Sequence, residues 1–169
     1  EILTNQNYKI NKNSSIVEIK KNTFYNDLLL NISFKDDTLD LGEDKDPFRK
    51  SIIIKLPQMI SDTLELRQSF IGRIKDKNMT YINSRKDDSY IYANTSSLGK
   101  YTISRDTLKP VIKPLNFKQN TNISSRSTIR LRLKDEMSGI KSYDAFLNGK
   151  WALFEYEPKS NLIFHNISD

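Results

Sequence analysis

Apolar and polar residues alternate with a period of two along much of this chain, the spacing of strands with one buried face. In the run from Asp27 to Phe34, Leu28, Leu30, Ile32 and Phe34 fall on one side, with Leu29, Asn31 and Ser33 opposite. Ile52, Ile54 and Leu56 repeat the pattern against Ser51, Ile53 and Lys55. Ser89 to Ala93 and Lys100 to Arg105 add strands rich in Tyr and Ile. Ile129, Leu131 and Leu133 alternate with Thr128, Arg130, Arg132 and Lys134, which predicts a half-buried strand with a basic outer face. Helical spacing is scarce, and only Ser61 to Gln68 suits a helix, of at most two turns. The pattern predicts an all-β protein of the sandwich type.

The strongest local signal lies further on. Asn148-Gly149 separates two aromatic-rich runs, and a type I′ turn needs positive φ at both central residues, which Asn-Gly supplies at little steric cost. A tight hairpin is expected there, with Tyr143, Phe146, Trp151, Phe154 and Tyr156 forming its apolar body. Trp151 follows the turn and is expected to pack inward as the anchor of a small core. Before it, Asp135-Glu-Met-Ser-Gly139 reads as a turn in which Asp135 accepts backbone donors and Gly139 takes a conformation other residues resist.

The segment Asp106 to Pro114 carries prolines at 110 and 114. These hold the backbone extended and remove two ladder donors, which suits a linker feeding an edge strand. Residues 1–106 then form one sandwich module and residues 107–169 a second. The second supplies four or five strand candidates, where an immunoglobulin-like sandwich uses about seven, so it is expected to be incomplete. The chain opens on Glu1 without an initiator Met, a basic n-region or an apolar h-region, and reads as a processed or excised fragment.

Composition narrows the chemistry. A 37% hydrophobic content with 10% aromatics supports small packed cores, and no apolar run is long enough to span a bilayer. The net charge of +6 raises the question of a polyanionic partner. The basic residues are scattered, though, and no nucleic-acid motif or basic-aromatic stripe accompanies them, so nucleic acid is not expected. With no cysteine and a single histidine, His165, the chain lacks the ligands for a catalytic zinc. His165 reads as an ordinary strand histidine. Asp135 and Glu136 could serve calcium, but they lack the alternating Asp-x-Asp spacing that would make the case, and the turn reading is simpler. The acidic stretch of Asp36, Asp37, Asp40, Glu43, Asp44 and Asp46 reads as a solvated loop. No nucleophile or paired carboxylate stands in a catalytic spacing. No cofactor and no catalytic residue are assigned.

The string from Lys134 to Tyr156 resembles the immunoglobulin-like module that lies C-terminal to the catalytic domain in Gram-negative envelope proteins of the LytM (lysostaphin-type) zinc peptidase family. Lys21 to Tyr25 followed by Leu28 to Phe34 resembles the first module of the same regions. So does Leu98 to Ile103 leading through Asp106 to Pro110 and Pro114 to Phe117. The stretch from Asp36 to Asp88 matches poorly. The resemblance implies two tandem immunoglobulin-like modules, without the catalytic domain, in a bacterial envelope protein. It implies a non-catalytic accessory region that positions the upstream peptidase domain or binds an envelope protein partner. Two alternatives stay open: a module that binds peptidoglycan or surface glycan, the Trp151 cluster serving as a sugar platform, and a structural part of an envelope assembly.

Overall fold

The computed structural model describes residues 1–76, 78–118 and 120–167. The described residues are all-β with one short helix, and the chain divides into two compact units, Glu1–Thr107 and Leu108–Asp169.

In chain order the first unit contains β1 (Tyr8–Lys12), β2 (Ser15–Ile19), β3 (Ser33–Lys35), β4 (Thr38–Asp40), β5 (Ile52–Pro57), α1 (Thr63–Gln68), β6 (Ser69–Lys75), β7 (Asn78–Ile82), β8 (Ser84–Lys86), β9 (Tyr90–Thr95) and β10 (Lys100–Arg105). Two antiparallel five-stranded sheets result, ordered β1-β2-β5-β9-β8 and β3-β4-β10-β6-β7. Strand parity builds the core between them. Val17, Ile19, Ile52, Ile54, Leu56, Ile91 and Ala93 project from the first sheet, and Leu39, Ile71 and Tyr101 from the second. This sandwich-like layering follows from burying one face of each sheet.

Tight turns set the registers. The turns Asn13-Ser14 and Asp36-Asp37 hold positive φ at both residues (+44° and +69°, +48° and +56°), so each closes a two-residue hairpin with the right-handed twist of its strands. Part of the acidic stretch is thus a turn. Asp40 also accepts from the Gly42 amide at 2.9 Å. The helix starts where Asp62 accepts the Glu65 amide at 2.7 Å, and it ends where Ser69 donates to the Glu65 carbonyl.

Asp44 takes a structural position in the same stretch. Its carboxylate meets Arg73 Nη2 at 2.7 Å and accepts the Leu98 amide at 2.8 Å, while Arg73 donates to the Leu98 carbonyl. Beside it, Gly99 has φ +127°, and a Cβ there would approach Arg73 Nε to 3.3 Å. Asp44→Ala should therefore lower the stability of this unit by about 2 kcal/mol in urea titrations, the scale for hydrogen bonds to charged groups. Asp44→Asn should recover part of the loss. A loss in Asp44→Ala below about 0.5 kcal/mol would show that water replaces the carboxylate at little cost.

The run Asp27 to Phe34 departs from the sequence expectation. Only Ser33–Lys35 enters a ladder, and Leu28 makes an isolated bridge with Ile2. Its parity is nonetheless kept: Ile32 is buried, Leu28, Leu30 and Phe34 are half-buried, and Leu29 is exposed. Burial against the core sets that alternation without a neighbouring strand.

The second unit contains β11 (Val111–Pro114), β12 (Thr128–Lys134), β13 (Phe146–Leu147), β14 (Lys150–Trp151), β15 (Glu155–Glu157) and β16 (Leu162–Asn166). Among the described residues these are six short strands in place of the four or five expected. They form a four-stranded antiparallel sheet, β11-β12-β16-β15, and a separate hairpin, β13-β14. Residues 111–114, assigned to a linker by their prolines, form the edge strand β11. Pro114 ends this edge strand and Pro110 precedes it, so neither removes a donor from a central ladder. Ile129, Leu133, Phe154 and Ile163 are the buried centre. Tyr143 packs edge-on against Tyr156 and donates to the Phe154 carbonyl at 2.6 Å.

Trp151 is not in this core. Its side of the hairpin faces outward, and both Trp151 and its cross-strand partner Phe146 are 64% exposed. The reason is parity. Ala145, Leu147 and Ala152 pack against the core cluster, so Phe146, Trp151 and Leu153, one residue out of step, point away. The expected burial of Trp151 is overturned, and with it any large cavity cost for Trp151→Ala.

Candidate functional site

The turn Asn148-Gly149 has φ +51° and +76°, the type I′ geometry its residues favour. It closes the β13-β14 hairpin, which places Trp151 at the lip of a groove of about 490 Å³. One wall is the hairpin itself, through Leu147, Asn148, Lys150 and Trp151. The other comes from the four-stranded sheet, through Glu155 of β15 and Phe164, His165 and Asn166 of β16. The groove is thus aromatic at Trp151 and Phe164 and polar at its rim, with amides, a carboxylate and an ammonium group within one depression. A few polar groups around an apolar platform are the usual make-up of a small-ligand site.

His165 lies in β16 with its Nδ1 2.8 Å from the Leu153 carbonyl, and its ring stacks on Phe154 at 5.1 Å. These contacts fix the ring and tie the strand after the hairpin to the sheet. A structural histidine with one edge lining the groove describes this arrangement.

The other residues singled out from sequence lie elsewhere. Asp135 accepts the amides of Met137 and Gly139, both at 2.9 Å, and Gly139 has φ +80°. Glu136 pairs instead with Lys134 at 2.7 Å. The two carboxylates therefore have separate partners. Among the described residues no three His, Asp or Glu side chains are grouped as a metal ion would require. Phe154 belongs to the buried centre of the second unit, and Tyr143 packs against it.

Sequence reasoning missed Phe164, Asn166, Glu155 and Lys150 as neighbours of Trp151. The two walls are joined only by the path of residues 152–154, and alternation within a strand carries no information about which strand end meets which hairpin.

In the first unit the charged groups form local pairs on the surface. Lys55 meets Glu18 at 2.8 Å across β2 and β5 and lies over the Tyr92 ring. The hydrogen bond to Glu18 holds the Lys55 ammonium above its ordinary range. Asp44, already engaged by Arg73 and Leu98, has no free role. No helix among the described residues is long and apolar enough to cross a membrane.

Against known proteins, the family model described as Zu5-like domain matches residues 2–106. Neither the curated proteins nor the solved structures contain a match to the chain.

Proposed function

We propose that this chain, which belongs to the Zu5-like domain family through residues 2–106, is a non-catalytic accessory region of a peptidase-like protein of the bacterial envelope. In this reading the first unit is a rigid spacer. The second, read as an immunoglobulin-like module, carries the binding surface. The envelope assignment rests on the resemblance of the strings from Lys134 to Tyr156 and from Leu98 to Phe117. The single observation that carries the binding role is the exposed Trp151 at the lip of a polar-rimmed groove. An indole held outward on a two-residue turn gives a flat, rigid face at low cost in conformational entropy.

That observation favours a glycan over a protein partner as the ligand. The face of a sugar ring presents C–H groups that pack on an indole, while its hydroxyls need donors and acceptors around the edge. Asn148, Lys150, Glu155 and Asn166 supply both kinds. The groove is a pocket with polar ends, whereas a protein interface core is depleted of charge.

The test is co-sedimentation of the whole chain with purified insoluble peptidoglycan. Wild-type protein should pellet with it, and Trp151→Ala should weaken that binding by about tenfold or more, the scale of 1.4 kcal/mol or above. The urea midpoint of the variant should stay within about 0.5 kcal/mol of wild type, as expected for an exposed position. Equal pelleting of the variant would remove Trp151 from the site. Released muropeptides would overturn the non-catalytic reading.

A further inference from the structure

We infer that the outward face of the four-stranded sheet extends the groove into an anion-binding track, so that the glycan bound is an acidic one. This rests on the glycan reading above and specifies its substrate class.

The registers define the face. Lys113 of β11 stands directly opposite Arg132 of β12, and Val111 opposite Lys134. On the other side of β12, Arg130 stands opposite Phe164 and Thr128 opposite Asn166. Directly paired residues share a face, so Lys113, Arg130, Arg132 and Lys134 all project from the side opposite the buried Ile129, Leu133 and Ile163. All four cations are exposed. Lys134 is paired with Glu136. Among the described residues, no carboxylate lies within ion-pair distance of Lys113, Arg130 or Arg132.

This arrangement works against the fold. Like charges directly opposite each other destabilise a sheet. Arg130 and Arg132, two residues apart on one strand, are only about 7 Å from each other. Neutral polar residues would solubilise the same surface without that repulsion. What the row supplies is a line of guanidinium groups suited to bidentate contact with carboxylates or sulfates.

The row also joins the groove. Phe164 and Asn166, the cross-strand partners of Arg130 and Thr128, line it. A chain lying over Trp151 and Phe164 therefore reaches Arg130 at the next strand and Arg132 along it. Glu155 and Glu157 stand on β15, across β16 from the row. Two strand spacings separate their backbones from those of the arginines by roughly 10 Å, so neither glutamate stands directly opposite an arginine. They border the track on its β15 side. Glu155 on the lip also argues against a continuous phosphate backbone in the groove. A polymer with neutral rings between its charges fits both parts.

The test uses the whole chain, with a galacturonate oligosaccharide as the acidic probe and a neutral glucan oligosaccharide of matched length as control, each titrated calorimetrically at two salt concentrations. The acidic probe should bind more tightly and weaken as salt rises. Arg130→Gln combined with Arg132→Gln should lower its affinity about tenfold or more and flatten the salt dependence. Its urea midpoint should equal or exceed that of wild type, which separates a binding effect from misfolding. If acidic and neutral probes bind alike and the double variant changes neither, the acidic inference falls while the glycan reading stands. If neither sugar binds, the acidic inference falls, and the peptidoglycan co-sedimentation decides the glycan reading separately. Tighter binding of a short DNA duplex than of the acidic sugar would also overturn it.

Discussion

Ile54→Ala should cost the first unit about 3–5 kcal/mol, the upper part of the range for truncating a buried isoleucine. Ile54 sits at the centre of β5, itself the middle strand of its sheet. Its cross-strand neighbours are Val17 on one side and Ala93 on the other, and its side chain is completely shielded from solvent. Ile52 and Leu56 flank it along the strand on the same face. A site enclosed by packed, fully buried apolar side chains has little freedom to collapse into the space left behind, so most of the cavity term survives. Against a typical domain stability of about 5–15 kcal/mol, that is a third of the total or more. Urea unfolding followed by circular dichroism should show the midpoint falling with little change in slope. Ile53→Ala, on the half-buried opposite face, should cost clearly less. Equal losses at the two positions would mean that the parity of β5 is assigned wrongly.

That parity was legible because β5, β9 and β12 each bury one face and leave the other more exposed. The alternation Ile52, Ile54, Leu56 survives into the structure as strict in-and-out burial. The hairpin at Asn148-Gly149 was legible for a different reason, since both residue types reach positive φ at low cost. The turns at Asn13-Ser14 and Asp36-Asp37 use the same backbone conformation with less distinctive residues, and the hairpins β1-β2 and β3-β4 went unread. β6 hid itself in another way. Ser69, Phe70, Ile71 and Gly72 are all buried, so its first half shows no alternation to detect. The run Leu28 to Phe34 shows the opposite error: correct parity, but hydrogen bonding limited to its last two residues and one bridge.

The candidate site was only partly legible. Trp151 could be singled out, but its direction could not. Apolar residues occupy both parities around the turn: Ala145 and Leu147 on one, Phe146 on the other, and Ala152 against Trp151 and Leu153. Residue size argued for burying the indole. The structure buries the small side chains instead, because the hairpin lies close against the core and leaves room there for Ala and Leu. The basic outer face of β12 was visible as alternation. Its significance depends on Lys113 and Phe164, which only the strand order β11-β12-β16 brings beside it.

Tyr101 is the second position where a large effect is expected, and it separates packing from hydrogen bonding. Its ring is fully buried in the core of the first unit, and its hydroxyl donates to the Ser97 carbonyl at 2.5 Å and lies 2.9 Å from Thr95 Oγ1. Tyr101→Ala should cost about 3–5 kcal/mol through the cavity, with Thr95 left short of a partner in addition. Tyr101→Phe keeps the ring and should cost about 1–2 kcal/mol for the lost hydrogen bonds. Burial pushes the Tyr101 phenol above its usual range, with hydrogen bonding to Thr95 and the charge of Arg73 opposing the shift in part. The sign follows from linkage. Above the unfolded phenol value of about 10, the unfolded chain has released this proton while the folded chain still holds it. The contribution of Tyr101 is thus fully present below about pH 10 and declines as pH rises towards the folded value. The stability gap between wild type and Tyr101→Phe should narrow above about pH 10, as read by urea titration at closely spaced pH. A gap that stays constant or widens would show that the phenolate is tolerated in the core, and that the hydroxyl is less enclosed than its contacts with Ser97 and Thr95 indicate.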